Sequence, residues 1–380
     1  MTCGLQYKTG NPLGSFPFSI PFFFMELLDW MARGGHERVL AVQDSESGLS
    51  GWIALHNTRR GPAYGGIRMW RYRNEAEAAL DALRLSQSMT YKCVLAGIAG
   101  GGAKTVIFAD RIKNRPLAME KLGGFIEGLG GVYRCGPDVG FVESDRLALQ
   151  KGTTHYACHS QELRPAGEAT AEGVEYGMRA ALDFLDGNSE LKGKKVAIQG
   201  LGSVGLPLAK RLLDNDCEVF GCDLNANVVN AAEGLGVKIV EPAKVFEVES
   251  DIFAPCAMGG VLHDLNLQRL RSRIVAGAAN NVLPSPEQAD QLRERGVLYV
   301  PDFVLNSGAL IEGAGFEQTG RKNYETELRR IGATVSAVFQ RADAASCSTH
   351  DAATGMARDI LVQENQIIEQ ESPLKEFAQE

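Results

Sequence analysis

The sequence has no long uninterrupted apolar run. Its most apolar stretch, residues 16–24, contains two prolines and is followed at once by Glu26 and Asp29. A membrane-spanning helix needs about 20 consecutive apolar residues, so this stretch cannot cross a bilayer. It also lacks the small-residue cleavage site of a secretory signal. We therefore expect no membrane partner, and we interpret residues 1–24 as an N-terminal extension ahead of the first domain.

Closely spaced cysteine pairs and an excess of positive charge are also missing. The eight cysteines are scattered without a C-x-x-C pair, and several lie within apolar runs, as reduced cysteines do in cytoplasmic proteins. The net charge of −8 disfavours a nucleic-acid partner, because phosphate binding requires a basic surface. His155, Cys158 and His159 have no second cluster to complete a metal site, so we predict none.

What the sequence does contain is a glycine-rich turn between a strand-like run, residues 195–199, and an apolar pattern of helical period. Its glycines have the spacing G-x-G-x-x-G. In such turns the first glycine allows the tight turn, the second lets the backbone approach a pyrophosphate, and the third lets helix and strand pack closely. The N–H groups at the helix start would face the phosphates. The predicted binding residues are Gly200, Gly202, Ser203, Val204 and Gly205.

A carboxylate follows this turn at the distance expected for a ribose-binding acid. The strand-like run 218–222 ends at Asp223, 23 residues after Gly200. Residues 224–227 include no Arg or Lys to hold a 2′-phosphate, which favours NAD over NADP. Beyond Asp223, short apolar runs alternate with helical or polar segments, a pattern typical of a parallel, doubly wound sheet. The sequence therefore predicts an α/β fold, and its 380 residues suit two domains.

The first half has less regular signals. Residues 52–56 and 105–108 predict strands, and Asn74 with Glu77 predicts the start of a helix that ends near Lys92. A further helix is predicted at 167–184. Residues 61–66 and 100–102 are rich in glycine and are predicted to be loops.

Two lysines and one aspartate are candidates for catalysis. Lys92 and Lys104 lie twelve residues apart, on either side of the predicted helix-to-strand passage, and Asp138 lies in a loop with glycine and proline. A buried lysine beside another cation has a lowered pKa and can act as a base near neutral pH, while a second lysine holds a substrate carboxylate. Spacing alone leaves the alternative of surface lysines and a turn aspartate open.

Several segments, in order, resemble motifs of the Glu/Leu/Phe/Val dehydrogenase family, and those of its phenylalanine and tryptophan dehydrogenases most closely. Residues 61–69 resemble the family's substrate loop, and residues 89–92 resemble the motif whose lysine binds the substrate carboxylate. Residues 277–281 and 301–306 resemble the loops that close over nicotinamide and substrate. By this resemblance Lys104 and Asp138 are catalytic.

The resemblance also implies the remaining site residues. The expected substrate-binding residues are Tyr64, Gly65, Gly66, Lys92, Pro137, Asn306, Leu310 and Gly313. The expected cofactor-binding residues, besides the turn and Asp223, are Thr170, Ala278 and Asn280.

The implied reaction is the reversible, NAD-dependent oxidative deamination of an L-amino acid to a 2-oxo acid and ammonia. The implied assembly is a homo-oligomer, a dimer or an octamer. The expected layout is a substrate-binding and oligomerisation domain at residues 25–165, a Rossmann NAD-binding domain at 166–330, and a C-terminal helical segment at 331–380 that packs back on the first domain.

The chain departs from the family pattern at three positions. Ala103 stands where the family has a glycine before the catalytic lysine, and Glu312 and Gly313 stand where it has Asn and Val. Gly313 leaves room in the expected side-chain pocket and Tyr64 takes some back, so we expect an aromatic substrate, phenylalanine or tryptophan. The alternatives are a branched-chain substrate, a biosynthetic relative acting on a 2-oxo acid, and a non-catalytic NAD-binding regulator.

Overall fold

The computed structural model describes residues 27–157 and 162–371. Within them the chain forms two β-sheets flanked by helices, which confirms the predicted α/β class. The predicted extension at residues 1–24 lies outside the described residues, as do Cys158 and His159. No three His, Cys, Asp or Glu side chains among the described residues are placed to hold a metal ion.

The first sheet is mixed and has the strand order β1-β2-β4-β3-β5. β2 pairs antiparallel with β1 and β4, whereas β3 pairs parallel with β4 and β5. All eight residues of β4 are buried, as expected of a central strand covered on both faces. The strands are β1 (Arg38–Asp44), β2 (Leu49–Leu55), β3 (Ala63–Trp70), β4 (Gly101–Phe108) and β5 (Tyr133–Pro137).

Helices cover this sheet and lead to the second one. Asn74 caps α2 as predicted, because its side chain accepts a hydrogen bond from the Glu77 backbone N–H at 2.8 Å. This helix continues one turn beyond the predicted end, so Lys92 lies within its last turn. The helices are α1 (Leu27–Gly34), α2 (Glu75–Leu95), α3 (Arg115–Glu127), α4 (Glu143–Leu149) and α5 (Ala166–Asp186).

The second sheet is entirely parallel, with the order β11-β10-β9-β6-β7-β8. β6 pairs with β7 on one side and with β9 on the other, so the strand order reverses there and a crevice opens at the carboxyl end of β6. Its strands are β6 (Lys195–Gln199), β7 (Glu218–Cys222), β8 (Lys238–Ile239), β9 (Ile252–Pro255), β10 (Ile274–Val275) and β11 (Leu298–Tyr299).

The remaining helices surround this sheet and then return towards the first. They are α6 (Gly205–Asp214), α7 (Ala226–Leu235), α8 (Asp264–Arg269), α9 (Glu287–Glu294), α10 (Asp302–Leu305), α11 (Gly308–Thr319), α12 (Glu325–Ala345) and α13 (Thr349–Glu371). α12 packs closely on α5, where a Cβ on Gly173 would lie 2.6 Å from Ile331. α13 reaches α2 beside the first sheet, because Arg358 donates a hydrogen bond to the Tyr91 hydroxyl at 3.0 Å. In the described part of the chain, no helix has the length and apolar character needed to cross a membrane.

Both glycine-rich segments of the first half were predicted as loops, which is right for residues 61–62 and 100 but wrong for the rest. Gly101 and Gly102 belong to β4, and residues 63–66 belong to β3. A Cβ on Gly102 would lie 2.2 Å from the backbone nitrogen of Thr90, and one on Gly65 would lie 1.8 Å from the carbonyl oxygen of Ala103. These glycines allow backbones to approach each other closely rather than to turn.

Candidate active site

The pair formed by Lys104 and Asp138 lies at the centre of the first sheet. Lys104 belongs to β4, Asp138 directly follows β5, and β3 runs between them. Lys104 Nζ lies 2.6 Å from Asp138 Oδ2, and both side chains are buried. A Cβ on Gly66 of β3 would lie 2.8 Å from Asp138 Cβ and 3.3 Å from Lys104 Nζ. The pair can therefore meet only across a glycine.

The surroundings of this pair lower the pKa values of both groups. Burial lowers the pKa of Lys104, and the nearby Arg68 guanidinium lowers it further, against the opposing charge of Asp138. Burial opposes ionisation of Asp138, but the charges of Lys104 and Arg68 outweigh it and hold the pKa of this carboxyl well below its usual range. Asp138 is thus ionised at neutral pH, and Lys104 is a stronger acid than an exposed lysine.

Lys92 reaches the crevice from the last turn of α2. Its Nζ donates a hydrogen bond to Asn280 Oδ1 at 3.3 Å, which joins the first sheet's helix to the loop after β10. Burial lowers the pKa of Lys92 to about 8, and the charge of Lys104 adds to this effect while that of Asp302 opposes it. Among the described residues Lys92 has no carboxylate within ion-pair distance, and a buried ammonium of this kind is suited to bind an anionic group.

Asn306 contacts the same Asn280 oxygen atom as Lys92. Its Nδ2 donates to the Ala278 carbonyl at 3.1 Å and to Asn280 Oδ1 at 2.8 Å. Its Oδ1 is buried and accepts no hydrogen bond from the residues that the structure describes. Because buried acceptors are rarely left without a donor, this atom is available to an N–H group of a ligand.

The glycine-rich turn has the geometry that its spacing predicts. Gly200 has φ of +91°, and a Cβ on Gly205 would lie 1.9 Å from the Gly200 carbonyl oxygen. A Cβ on Gly202 would meet nothing within 4 Å, so the turn is open to solvent there. Ser203 and Val204 complete the turn, and α6 begins at Gly205. The turn therefore leaves room for a pyrophosphate over the start of α6.

Asp223 and Thr170 border this turn. The Asp223 carboxylate accepts hydrogen bonds from the backbone N–H groups of Leu201 at 2.8 Å and Asn225 at 2.9 Å, which fixes it beside the turn. Thr170 lies in the first turns of α5, and its hydroxyl donates to the Ala166 carbonyl at 3.0 Å. α5 touches the glycine-rich turn, since a Cβ on Gly167 would lie 1.9 Å from the Ser203 carbonyl oxygen.

The residues expected to line the side-chain pocket differ in burial. Tyr64 is buried with Leu310 in one apolar cluster, and its hydroxyl accepts a hydrogen bond from Gln318 Nε2 of α11 at 3.1 Å. Gly313 is buried on the same helix. Pro137 ends β5 and is exposed, so the structure does not place it with the other three.

Two of the three departures from the family pattern have clear structural roles. Side chains alternate along a strand, so Ala103 points to the apolar core on the opposite face of β4 from Lys104 and does not displace it. Glu312 Oε1 accepts hydrogen bonds from Arg164 Nη2 at 2.6 Å and Nε at 2.9 Å. Arg164 Nη1 also donates to Glu172 of α5 at 2.7 Å, so Glu312 helps to join α11 to α5.

Sequence reasoning assigned no role to four residues that shape the site: Arg68, Arg164, Glu172 and Gln318. Arg68 lies inside the segment 61–69 that resembled the substrate loop. Had this segment been predicted as a strand, the spacing of two residues would have placed Arg68 on the same face of the sheet as Gly66. The other three act through contacts between distant segments, for which the sequence has no local signal.

Two family models match the chain. The model of the Glu/Leu/Phe/Val dehydrogenase dimerisation domain matches residues 36–148, and that of Glutamate/Leucine/Phenylalanine/Valine dehydrogenase matches residues 164–241 and 225–371.

Curated relatives agree with these matches. The chain is 40% identical to the leucine dehydrogenase of Geobacillus stearothermophilus over 344 residues, covering 89% of this chain and 94% of the relative. It is 41% identical to the phenylalanine dehydrogenase of Lysinibacillus sphaericus over 289 residues, covering 73% and 76%.

The fold agrees as well. The crystal structure of L-tryptophan dehydrogenase from Nostoc punctiforme superposes with a TM-score of 0.76 at 34% identity, covering 89% of this chain and 99% of that one. With both family models matching and with relatives of this kind along nearly its whole length, the chain belongs to the Glu/Leu/Phe/Val dehydrogenase family of amino-acid dehydrogenases.

Proposed function

We propose that this enzyme catalyses the NAD-dependent oxidative deamination of an aromatic L-amino acid, phenylalanine or tryptophan, to a 2-oxo acid and ammonia. The observation that carries the proposal is the buried Lys104–Asp138 ion pair, 2.6 Å apart, close to Lys92 and the dinucleotide crevice. Its relatives include a phenylalanine dehydrogenase and an L-tryptophan dehydrogenase, which supports an aromatic substrate.

Each residue has a distinct part in this proposal. Lys92, as a buried cation, holds the substrate carboxylate, and Asn306 Oδ1 accepts a hydrogen bond from the substrate amino group. NAD, when bound, supplies the acceptor for the hydride that leaves Cα. Lys104 in its neutral form takes a proton from the water that attacks the resulting imine carbon, and Asp138 relays protons as ammonia departs. Burial of this pair excludes bulk water from the imine.

Two features support NAD rather than NADP, and a third concerns the adenine ring that both cofactors share. Asp223 is oriented beside the glycine-rich turn to meet ribose hydroxyls, and a 2′-phosphate there would face its charge. Residues 224–227 carry no Lys or Arg. Leu224 is 92% exposed and Met258 59% exposed, and they lie on the loops after β7 and β9 that flank the crevice. We propose that these two side chains cover the faces of the adenine ring.

The aromatic preference rests on the pocket wall. Gly313 contributes no side chain to α11, whereas the phenol of Tyr64 is held in place by Gln318. A single methylene of misfit discriminates by about 1–3 kcal/mol, so a pocket of this kind sets a preference rather than an absolute rule. The 40% identity to a leucine dehydrogenase favours leucine as the second candidate.

We further propose a cytoplasmic homo-oligomer, a dimer or octamer, that assembles through the first domain, residues 25–165. The description of the matching family model as a dimerisation domain supports this proposal. The Rossmann domain then comprises residues 166–330, and residues 331–380 form the C-terminal segment, whose helix α13 returns to the first domain through the contact of Arg358 with Tyr91.

NADH formation with a panel of L-amino acids at alkaline pH tests the function. We expect the highest kcat/KM with phenylalanine or tryptophan, and K104A should lose turnover while NADH affinity, followed by fluorescence titration, stays unchanged. The exposed Lys192 gives the control K192A, which should behave as wild type. A folded protein that binds NADH but oxidises no amino acid would refute the proposal.

A further inference from the structure

Arg68 contacts the catalytic pair directly and has no role in the reaction as described above. It lies on β3 two residues after Gly66, and alternation along the strand places it on the face where Lys104 and Asp138 meet. Arg68 Nε donates to Asp138 Oδ2 at 2.9 Å, the same oxygen that lies 2.6 Å from Lys104 Nζ. One carboxylate oxygen therefore binds two cations.

The two cations differ in a way that matters for proton transfer. A guanidinium remains charged at every pH at which the protein is folded, whereas a buried lysine gains and loses its proton readily. When Lys104 is neutral, a carboxylate with no other cation nearby would bind a proton more tightly and compete with Lys104 for it. Arg68 removes this competition, because its charge remains beside Asp138 when Lys104 is deprotonated.

A second carboxylate fixes the guanidinium. Arg68 Nη1 donates to Asp81 Oδ2 at 3.3 Å, and the Tyr72 hydroxyl donates to the same oxygen at 2.7 Å. Asp81 belongs to α2, the helix that carries Lys92 in its last turn. The Arg68 side chain is only 16% exposed, so it has little freedom to leave Asp138. Its two contacts require the fork of donors that arginine has and lysine lacks.

We propose that Arg68 is a positioning residue that keeps Asp138 ionised and directed at Lys104 throughout the reaction. This inference rests on the catalytic roles proposed for Lys104 and Asp138. It extends them, because it makes the proton exchange of Lys104 depend on a residue that touches neither the water nor the substrate.

The dependence of kcat/KM on pH tests the proposal with the variant R68M. The Arg68 charge lowers the pKa of Lys104, so its removal should move the acidic limb to higher pH. A shift of about one pH unit corresponds to about tenfold lower kcat/KM near neutral pH, with a much smaller loss at alkaline pH. R71M removes an exposed guanidinium three residues away and should leave the profile unchanged.

A variant that shifts the acidic limb in the opposite direction separates the electrostatic role of Arg68 from structural damage. Asp81 raises the pKa of Lys104, so D81N should move the acidic limb to lower pH. R68K should restore only part of the wild-type profile, and guanidinium ions added to R68A should restore activity at neutral pH. These variants also keep the test decisive if R68M does not fold.

Three outcomes would overturn the proposal. A loss of kcat/KM by the same factor at every pH would indicate a merely structural role, and an unmoved acidic limb in R68M would contradict the electrostatic one. Retention of turnover in K104A would remove the basis of both proposals together. Loss of turnover in K104A with an unmoved limb in R68M would refute only the role of Arg68.

Discussion

Arg164 should contribute more to stability than its position in a connecting segment suggests. It binds Glu312 of α11 and Glu172 of α5, and both carboxylates are more than 90% buried. The helices it joins carry Leu310 and Thr170, which lie on the proposed substrate and nicotinamide sides of the crevice. Replacement of Arg164 by Met removes the charge and keeps much of the side-chain volume.

We expect replacement of Arg164 and replacement of Glu312 to reduce stability by different amounts. Removal of one member of a buried ion pair costs about 3–5 kcal/mol, because the other charge stays buried without compensation. The Arg164 side chain is 33% exposed, so water can partly hydrate the carboxylates that remain. Arg211 also lies 3.7 Å from Glu172, and both effects reduce the loss of stability. We expect R164M to cost about 2–3 kcal/mol. E312Q should cost about 1 kcal/mol, because Arg164 keeps Glu172 as a partner.

Thermal unfolding followed by circular dichroism measures both effects. At about 2–4 °C per kcal/mol for a domain of this size, R164M should lower Tm by about 5–10 °C and E312Q by about 2–4 °C. The double variant R164M/E312Q should lose less free energy of unfolding than the sum of the two single losses, by about 1–2 kcal/mol. As a control, K192M removes an ion pair whose side chains are 78% and 71% exposed, and Tm should hardly change.

Additive single effects, or equal effects of R164M and E312Q, would refute this reasoning. Additivity would mean that the two side chains do not interact in solution. Equal effects would mean that the uncompensated carboxylates are hydrated, and the contact would then be a surface ion pair of little energetic value.

Two further predictions concern the first sheet. G66A should lower kcat at least tenfold with unchanged NADH affinity, because its Cβ would separate Lys104 from Asp138. G124A, where a Cβ meets nothing within 4 Å, should keep full activity, and loss of activity in both variants would contradict this account. His56 is buried between Thr90 Oγ1 and the Gly34 carbonyl, and burial lowers its pKa to about 4. Between pH 6.5 and 4 the unfolded chain therefore binds a proton that the folded protein does not, so urea unfolding should show stability falling by up to about 3 kcal/mol as the pH drops through this range. H56N should flatten that slope, and an unchanged slope would mean that another group titrates there.

The dinucleotide crevice was predictable because its determinants are local. Strand, turn, helix start and acid lie within about 30 residues, and each has its own sequence signature. The structure accordingly places Gly200, Gly205 and Asp223 as their spacing predicts. The Asn74 cap of α2 was predictable for the same reason, since the capping contact spans only three residues.

The first sheet was harder to predict, because glycine has two uses that a sequence does not distinguish. Gly101 and Gly102 were interpreted as a loop, whereas they lie in β4 against the backbones of Asn57 and Thr90. Those partners lie 44 and 12 residues away, so no local pattern shows that the close approach exists. The contacts of Arg164 with Glu312 span 148 residues and were unpredictable for the same reason.

The distribution of these contacts explains how one fold can serve different substrates. Lys104 lies on β4 and Asp138 directly follows β5, and the glycines of β3 and β4 leave no room for a Cβ. Leu310 and Gly313 of the proposed pocket wall belong instead to α11, which is joined to α5 through Arg164 and to Tyr64 of β3 through Gln318. Side chains on α11 can therefore change without moving the catalytic pair. Because Leu310 and Gly313 belong to an element separate from the proposed catalytic pair, substitutions at either position should alter substrate preference while leaving the pH dependence proposed for Lys104 intact.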